Sequence, residues 1–190
     1  MIYIVVLNWN GAIDTINCVK SLMDLNVSDY KIIIVDNCSM DNSYDTIKEN
    51  LNSLYIADKS IIEVKYEDRN KYKTLENDKI ILIQSPQNNG YASGNNIGIE
   101  FALNQENMKY VWVLNNDTEV DKEALTHLIS KCDSDKSIGI CGSRLVYFAD
   151  REMQQGLGGV HNKWLCTTKN YEMGRLVSKK YDDEVISNDI

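Results

Sequence analysis

Short, continuously apolar segments alternate with segments of helical periodicity through the first three quarters of the chain. The apolar segments are residues 2–7, 31–35, 80–83, 110–114 and 138–141. After each of the first four, apolar residues recur three or four positions apart, which predicts a helix. Strands without polar alternation are buried on both faces, as in a parallel sheet covered by helices. We therefore predict an α/β fold with a mainly parallel central sheet flanked by helices.

Polar side chains follow three of the predicted strands directly. They are Asn8-Trp9-Asn10-Gly11, Asp36-Asn37 and Asn115-Asn116-Asp117. The carboxyl ends of parallel strands meet at one edge of a sheet, which is where such sheets bind ligands. Loop solubility does not readily account for three such strand ends, so we expect a binding site at this edge.

The charge of the chain limits its partners. Its 190 residues carry a formal net charge of −8. Nucleic-acid binding needs a basic surface that neutralises phosphates, so we expect no nucleic-acid partner. An anionic ligand would have to be met locally, through a metal ion or backbone N–H groups.

Cysteine spacing and hydropathy indicate the compartment. The five cysteines form no CxxC pair and no zinc-like spacing. No apolar run approaches the length of a transmembrane helix, and no signal peptide precedes the first strand. We therefore expect a cytoplasmic protein with reduced, mostly buried thiols and no transmembrane segment.

Asp36 ends the second predicted strand and is followed by Asn37, Ser39 and Asp41. Its carboxylate could accept a hydrogen bond from the imide N–H of a nucleotide base. The alternative is an Asx-turn that only starts the next helix.

Residues 88–98 (NNGYASGNNIG) bring small and amide side chains to the start of a predicted helix. Small residues let a ribose or phosphate approach the backbone, and a helix N-terminus favours negative charge. The segment is neither GxGxxG nor a P-loop. A plain helix-entry loop explains it equally well.

Asn116-Asp117 places one carboxylate beside neutral oxygen donors at the end of the fourth predicted strand. Mg²⁺ commonly takes one or two protein carboxylates and completes its shell with phosphates and water. A single Asp is therefore sufficient if a diphosphate supplies further ligands. The alternative is an N-cap region before the next helix.

Other titratable groups are weaker candidates. His127 lies in a predicted helix and His161 in a glycine-rich loop, with no HExxH motif. Asp182-Asp183-Glu184 lies in an aperiodic tail, which is typical of a solvated charge run. We interpret all of them as structural or surface groups.

Four ordered motifs together resemble the family 2 glycosyltransferases of the GT-A fold, and specifically their rhamnosyltransferase-like branch. The motifs are VVLNWNG at 5–11, IIIVDNCSMDNS at 32–43, NNGYASGNNIGIEFA at 88–102 and YVWVLNNDTEVD at 110–121. The resemblance spans residues 2–146. It implies transfer of a sugar from a nucleoside diphosphate donor, a dTDP- or UDP-sugar, to an acceptor hydroxyl, with inversion. The branch favours dTDP-rhamnose, and galactofuranose, mannose or an N-acetylhexosamine stay open as alternatives.

The resemblance also implies roles for individual residues. Leu7, through its backbone, and Trp9, by stacking, would contact the base, and Asp36 would accept its N–H. Gly94 and Asn95 would line the ribose and diphosphate, with Asn116 nearby. Asp117 would bind the cofactor, Mg²⁺ or Mn²⁺, which stabilises the departing diphosphate.

The resemblance ends before the acidic motif that carries the general base of this family. Such a base deprotonates the acceptor hydroxyl, and nothing in residues 150–190 matches it, so we expect it beyond Ile190. We predict a nucleotide-sugar-binding domain at 1–149, with a charged surface excursion at 58–79, and an incomplete, loop-rich start of the acceptor side at 150–190. The fold is then a GT-A sandwich truncated after its donor-binding half.

The leading hypothesis is a transferase, or its donor-binding portion, that acts on a glycan or lipid-linked acceptor in polysaccharide biosynthesis. We expect it in the cytoplasm or, by peripheral association, at the inner face of the membrane. One alternative is a catalytically inactive nucleotide-sugar-binding or regulatory module that lacks the base. Another is a Rossmann-like interaction domain, which leaves the polar strand ends unexplained.

Overall fold

The computed structural model describes residues 1–54, 60–73, 78–156, 158–165, 167–171 and 173–177. The chain packs as two compact units, Met1–Leu125 and Thr126–Ile190. They differ in architecture, because the first is built on a parallel sheet and the second on short antiparallel strand pairs.

Five parallel strands form the central sheet of the first unit. They are β1 (Ile2–Asn8), β2 (Tyr30–Asp36), β3 (Ser60–Val64), β4 (Asp78–Gln84) and β5 (Tyr110–Asn115). Their spatial order is β3-β4-β2-β1-β5, and every neighbouring pair is parallel. The prediction of a parallel α/β sheet is confirmed.

The predicted helices are present. They are α1 (Ala12–Met23), α2 (Ser43–Leu54), α3 (Tyr91–Leu103) and α4 (Ala124–Ser134), with an additional 3-10 helix at Tyr66–Lys71. Helices α1 and α2 contact each other, and α3 contacts β1 and β2. Within the described residues, no helix combines the length and the hydropathy that crossing a membrane requires.

Strands β1 and β2 form the centre of the core, and every residue in them is buried. Successive side chains of a strand point to opposite faces of the sheet. Tyr3, Val5 and Leu7 share one buried cluster with Ile97 and Phe101 of α3. The intervening residues of β1 point to the other face and are buried as well, which is why the strand shows no polar alternation.

Two glycines allow α3 to lie close to the sheet. A Cβ atom added to Gly98 would lie 2.6 Å from Val5 Cγ1, and one added to Gly94 would lie 2.5 Å from Leu7 Cδ1. Both distances are shorter than real Cβ contacts, so a larger residue would force the helix or the strand to shift.

The sequence pattern does not predict β3, which lies in the charged segment expected to be a surface excursion. Its apolar centre is short, Ile61-Ile62, and Glu63 follows directly. Among the strands that the structure describes, β3 pairs with β4 alone and lies at the edge of the sheet. An edge strand needs fewer apolar residues than a central one, so its signal in the sequence is weak.

The second unit contains two antiparallel strand pairs. They are β6 (Leu145–Val146) with β7 (Gln154–Gly156), and β8 (Gly158–Asn162) with β9 (Thr167–Tyr171). The prediction that His161 lies in a glycine-rich loop is wrong, because Gly158, Gly159 and His161 are part of β8, where each pairs with a residue of β9. The sequence hypothesis for residues 182–184 lies outside the described residues.

The predicted fifth strand at residues 138–141 is wrong. This segment is irregular, and Ile140 is 96% exposed. Gly139 separates its two isoleucines, and glycine weakens a strand because it has no side chain to pack. Within the described part of the chain, no strand pairs with it.

The thiols are less buried than the sequence suggests. Of the described cysteines, Cys18 is buried, whereas Cys38, Cys132 and Cys141 are partly exposed, and all four are free. Cys18 lies on the apolar side of α1. Desolvation raises the pKa of its thiol to about 12, and the nearby charge of Asp117 adds to the rise.

The close approach of α3 to the sheet can be tested with Gly98→Ala. Alanine in a helix is favoured over glycine by about 1 kcal/mol. Overpacking a buried site costs roughly 1–3 kcal/mol, and Val5, which the new methyl group would meet, is fully buried. We expect the free energy of unfolding in a urea titration to fall by about 1 kcal/mol.

The control is Gly139→Ala, because a Cβ atom added there meets no heavy atom within 4 Å. Its free energy of unfolding should stay within about 0.5 kcal/mol of the original. Equal stabilities for the two variants would contradict the close packing of α3.

Candidate functional site

The three polar strand ends lie at the carboxyl edge of the sheet, as the sequence predicts. Strand β1 lies between β2 and β5, with Asn8 opposite Asp36 and Leu7 opposite Asn115. The chain proceeds from β1 towards β2 and later returns to the other side of β1 with β5. Parallel sheets bind their ligands where the strand order reverses in this way.

Asp36 is fully buried and accepts four hydrogen bonds. Its Oδ1 accepts from Asn8 Nδ2 at 2.7 Å and from Ser39 Oγ at 2.6 Å. Its Oδ2 accepts from the Ser39 backbone N–H at 3.1 Å and from Gln84 Nε2 at 3.4 Å. A carboxylate has about four acceptor positions, so all of them are occupied by the protein.

A chain of hydrogen bonds continues from Asp36 through Asn8 to the end of β5. Asn8 Oδ1 accepts from Thr15 Oγ1 at 2.8 Å. Thr15 Oγ1 in turn accepts from Asn116 Nδ2 at 3.1 Å, and the same nitrogen donates to the Gly11 carbonyl at 3.3 Å. We call Asp36, Asn8, Thr15 and Asn116 the polar relay.

The loops after β1 and β2 are held in unusual backbone conformations. Asn10, Cys38 and Asn42 have φ values of 52°, 59° and 65°. Two hydrogen bonds join the loop after β1 to the loop after β2. The Asn10 N–H donates to Ser39 Oγ at 2.9 Å, and Asn10 Oδ1 accepts from the Met40 N–H at 2.9 Å. Such strained residues persist only where surrounding contacts fix them, and they are frequent at functional sites.

The start of α3 reaches the same edge. Gly90 precedes the helix with a φ of 86°, and no side chain caps the helix. Asn37 Nδ2 donates to Asn88 Oδ1 at 2.9 Å, which ties the end of β2 to this loop. Tyr91 O–H donates to Asn115 Oδ1 at 2.7 Å, which ties the loop to the end of β5.

Trp9 and Asp117 are the exposed members of the predicted site. Trp9 is 57% exposed just beyond β1. Asp117 lies exposed in the turn after β5, where the Thr118 N–H donates to the Asn115 carbonyl at 3.3 Å. Among the described residues, the Asp117 carboxylate accepts no hydrogen bond and forms no ion pair, so it is available to a ligand.

The residues at this turn fit a hard divalent cation that is shared with a ligand. Asp117 offers an uncommitted carboxylate, and carboxylate oxygens are ligands that Mg²⁺ and Mn²⁺ prefer. The described residues include no group of three His, Cys, Asp or Glu side chains able to hold a metal ion. A cation here would therefore need oxygen atoms from a bound phosphate compound.

The structure divides the predicted binding residues into two groups. Trp9 and Asp117 are exposed and Asn116 is partly exposed. The others are buried beneath them and are Leu7, Asp36, Gly94 and Asn95. The roles that the resemblance implies for them stay predictions.

Two residues that organise this edge are missed by the sequence analysis. Thr15 is fully buried on the apolar side of α1, between residues of the core. A polar residue at such a position in a helical pattern is a usable signal, because buried hydroxyls need partners. Tyr91 shows no comparable signal, since its bond to Asn115 crosses 24 positions of sequence.

Comparison with known proteins gives a family match. The family model described as "Glycosyl transferase family 2" matches residues 3–157. The low-salt glycan biosynthesis hexosyltransferase of Haloferax volcanii is 33% identical over 106 residues, which are 54% of this chain and 32% of that protein. The chain thus spans about a third of the length of this relative.

Solved structures share the fold. A mannosyltransferase from Pyrobaculum calidifontis, in complex with GDP-Man and Mn²⁺, aligns with a TM-score of 0.53 at 11% identity, over 73% of this chain and 33% of that one. S. aureus TarS in complex with UDP-GlcNAc aligns with a TM-score of 0.50 at 15% identity, over 70% of this chain and 31% of that one. These likenesses establish the GT-A fold.

The importance of Asn8 for this edge can be tested with Asn8→Ala. The substitution removes a donor from the buried Asp36 carboxylate and an acceptor from Thr15. Leaving buried polar groups unsatisfied costs roughly 1–3 kcal/mol, and more for a charged group. We expect the free energy of unfolding from urea titration to fall by about 2–3 kcal/mol.

The matched control is Asn50→Ala, which removes an exposed amide that bonds only within α2. Its stability should change by no more than about 0.5 kcal/mol. A similarly small change for Asn8→Ala would be incompatible with a carboxylate that depends on Asn8.

Proposed function

Because the chain belongs to glycosyl transferase family 2, we propose that its sheet edge binds a nucleoside diphosphate sugar and that the protein takes part in transfer of the sugar to an acceptor hydroxyl. The observation that carries the proposal is the uncommitted Asp117 carboxylate just beyond the end of β5, the strand that pairs with β1, while Trp9 is exposed just beyond the end of β1. The ligands bound in the two solved structures of similar fold, GDP-Man with Mn²⁺ and UDP-GlcNAc, support a donor of this class.

The base is proposed to stack on Trp9, because an exposed indole ring at a strand end offers a flat apolar surface. Asp36 Oδ2 is the proposed acceptor for a base N–H. Its bond from Gln84, at 3.4 Å, is the longest of the four to Asp36, so a base would reach it by displacing Gln84. The backbone of Leu7, together with Gly94 and Asn95, is proposed to form the floor beneath base and ribose.

The diphosphate is proposed to lie between the start of α3 and the turn at Asn116-Asp117. The first turn of α3 carries no acidic residue and no side-chain cap, so its N–H groups favour an anion. Asp117, with Asn116 beside it, would hold Mg²⁺ or Mn²⁺ together with the diphosphate. The cation would stabilise the negative charge of the departing nucleoside diphosphate.

The finer assignment follows the resemblance. We propose a rhamnosyltransferase-like enzyme that uses a dTDP- or UDP-sugar, inverts the anomeric carbon and acts on a glycan or lipid-linked acceptor in the cytoplasm or at the inner face of the membrane. Residues 1–149 would bind the donor and residues 150–190 would begin the acceptor side. An inverting transfer needs a general base on the acceptor hydroxyl.

The second candidate is a nucleotide-sugar-binding module without transferase activity. It is favoured by the sequence, because nothing in residues 150–190 matches the acidic motif that carries the general base in the resemblance. The two candidates differ in one measurement: a transferase releases UDP or dTDP from its donor when acceptor is present, and a binding module does not.

The metal assignment can be tested with Asp117→Ala by calorimetric titration of UDP with Mn²⁺ and with EDTA. In the unaltered protein, Mn²⁺ should strengthen UDP binding, because the cation bridges Asp117 and the diphosphate. The variant should lose this Mn²⁺-dependent gain and keep the weaker affinity seen in EDTA.

The control for this test is Asp24→Ala. This substitution also removes one negative charge, but from an exposed position directly after the C-terminal end of α1. Its Mn²⁺-dependent gain should be unchanged. If Asp117→Ala also keeps its Mn²⁺-dependent gain in UDP affinity, the metal assignment is wrong.

The stacking role of Trp9 can be tested with Trp9→Ala. Base–aromatic stacking contributes about 1–3 kcal/mol, so we expect UDP to bind roughly 10-fold more weakly. Trp164→Ala is the control, since Trp164 is 88% exposed in the other unit. Equal UDP affinities of the two variants would remove Trp9 from the base site.

A further inference from the structure

We propose that the polar relay is a positioning device that orients Asn116 with its carbonyl oxygen towards the ligand and thereby fixes the turn that carries Asp117. The proposal rests on the proposed function for the identity of the ligand. The hydrogen bonds that carry it lie within the first unit and involve no ligand.

Two groups that can only accept, the Asp36 carboxylate and the Gly11 carbonyl, determine the direction of the hydrogen bonds in the relay. The Asp36 carboxylate can only accept, so Asn8 must turn its NH₂ group towards Asp36. The carbonyl end of Asn8 then faces Thr15 and can only accept. The Thr15 hydroxyl lies 2.8 Å from Asn8 Oδ1 and 3.0 Å from the Gly11 carbonyl oxygen, and both of these atoms can only accept, so its single proton goes to one of these two.

The last member of the relay is oriented in the same way. Whichever of these two acceptors takes its proton, the Thr15 hydroxyl offers lone pairs to Asn116. Asn116 Nδ2 donates to Thr15 Oγ1 at 3.1 Å and to the Gly11 carbonyl at 3.3 Å. The NH₂ group of Asn116 is thus used on α1 and its preceding loop, and Oδ1 is left for the ligand side.

This orientation has a chemical consequence for the adjacent turn. An outward carbonyl oxygen can bind a cation or accept from a ribose hydroxyl, whereas an outward NH₂ group would repel a cation. Asn116 precedes Asp117 directly and is only partly exposed, while Asp117 is exposed. The relay therefore places a neutral oxygen next to the carboxylate and anchors the otherwise exposed turn.

Burial makes the relay a rigid support. Asp36, Asn8 and Thr15 are each 0% exposed, so water cannot replace their hydrogen bonds. Gly11 allows this arrangement, since a Cβ atom there would lie 2.8 Å from Asn116 Nδ2. Thr15 is fully buried and cannot contact a ligand itself, so its effect on ligand binding must pass through its partners, Asn116 at one end and Asn8 with Asp36 at the other. An effect through Asn116 would change the Mn²⁺-dependent part of UDP binding, whereas an effect through Asp36 would change UDP binding equally with and without Mn²⁺.

The experiment compares Thr15→Val with Thr15→Ser. Valine keeps the shape of threonine and removes the hydroxyl, whereas serine keeps the hydroxyl. The first readout needs no ligand: the NMR signals of the Asn116 side-chain NH₂ group, identified by their loss in Asn116→Ala. We expect Thr15→Val to move them towards the positions of a solvated amide and Thr15→Ser to leave them close to those of the unaltered protein.

The second readout is the ratio of UDP affinities with Mn²⁺ and with EDTA. We expect Thr15→Val to lower this ratio about 10-fold and Thr15→Ser to restore it. In the Asn116→Ala background, Thr15→Val should lower the ratio no further, because residues that act through one bond are not additive. This second background keeps the test decisive if Thr15→Val alone proves poorly stable.

The outcomes separate this proposal from the proposed function. Unchanged Asn116 side-chain signals in Thr15→Val overturn the positioning role, whatever the protein binds. An equal loss of UDP affinity with and without Mn²⁺ also overturns it, because a general loss of structure would act on both. If the unaltered protein binds no UDP, the proposed function fails, while the NMR comparison still decides whether Thr15 orients Asn116.

Discussion

The buried carboxylate of Asp36 is the constraint on which the binding edge depends. Removing a charged group from water is costly unless hydrogen bonds replace its hydration. The protein meets this requirement with Asn8, Ser39 and Gln84, which come from the ends of three adjacent strands or the loop after one of them. A single acceptor thus joins β1, β2 and β4 at the same edge.

The core beneath this edge makes the arrangement rigid. Gly94 lies close to Leu7 and Asn37, so the start of α3 is held against the ends of β1 and β2. Tyr91 then connects α3 to Asn115. The exposed side chains of Trp9 and Asp117 therefore lie in short segments that directly follow strands held in place by these contacts. A ligand that binds there meets a preformed site rather than one it has to order.

Most of the fold, and the position of the polar strand ends at one edge of the sheet, could be predicted from the sequence. Strands such as β1 and β2 are buried on both faces, and the continuous apolar runs in their sequences predict this burial. The edge strand β3 and the irregular segment around Ile140 could not be predicted. Whether such a segment forms a strand depends on a neighbouring strand, which the local sequence does not specify. Asp36, Asn116 and Asp117 stood out as polar strand ends, but the bonds through Thr15 connect positions 101 residues apart and appear only in three dimensions.

The central claim is that Asp117 and a donor diphosphate share a divalent cation at this sheet edge. The most direct measurement is anomalous diffraction from a crystal of the protein grown with Mn²⁺ and UDP. The account predicts one manganese peak within about 2.2 Å of an Asp117 carboxylate oxygen and of the diphosphate oxygens, with the uracil ring against Trp9. Manganese and UDP bound together at any other place on the protein would contradict it.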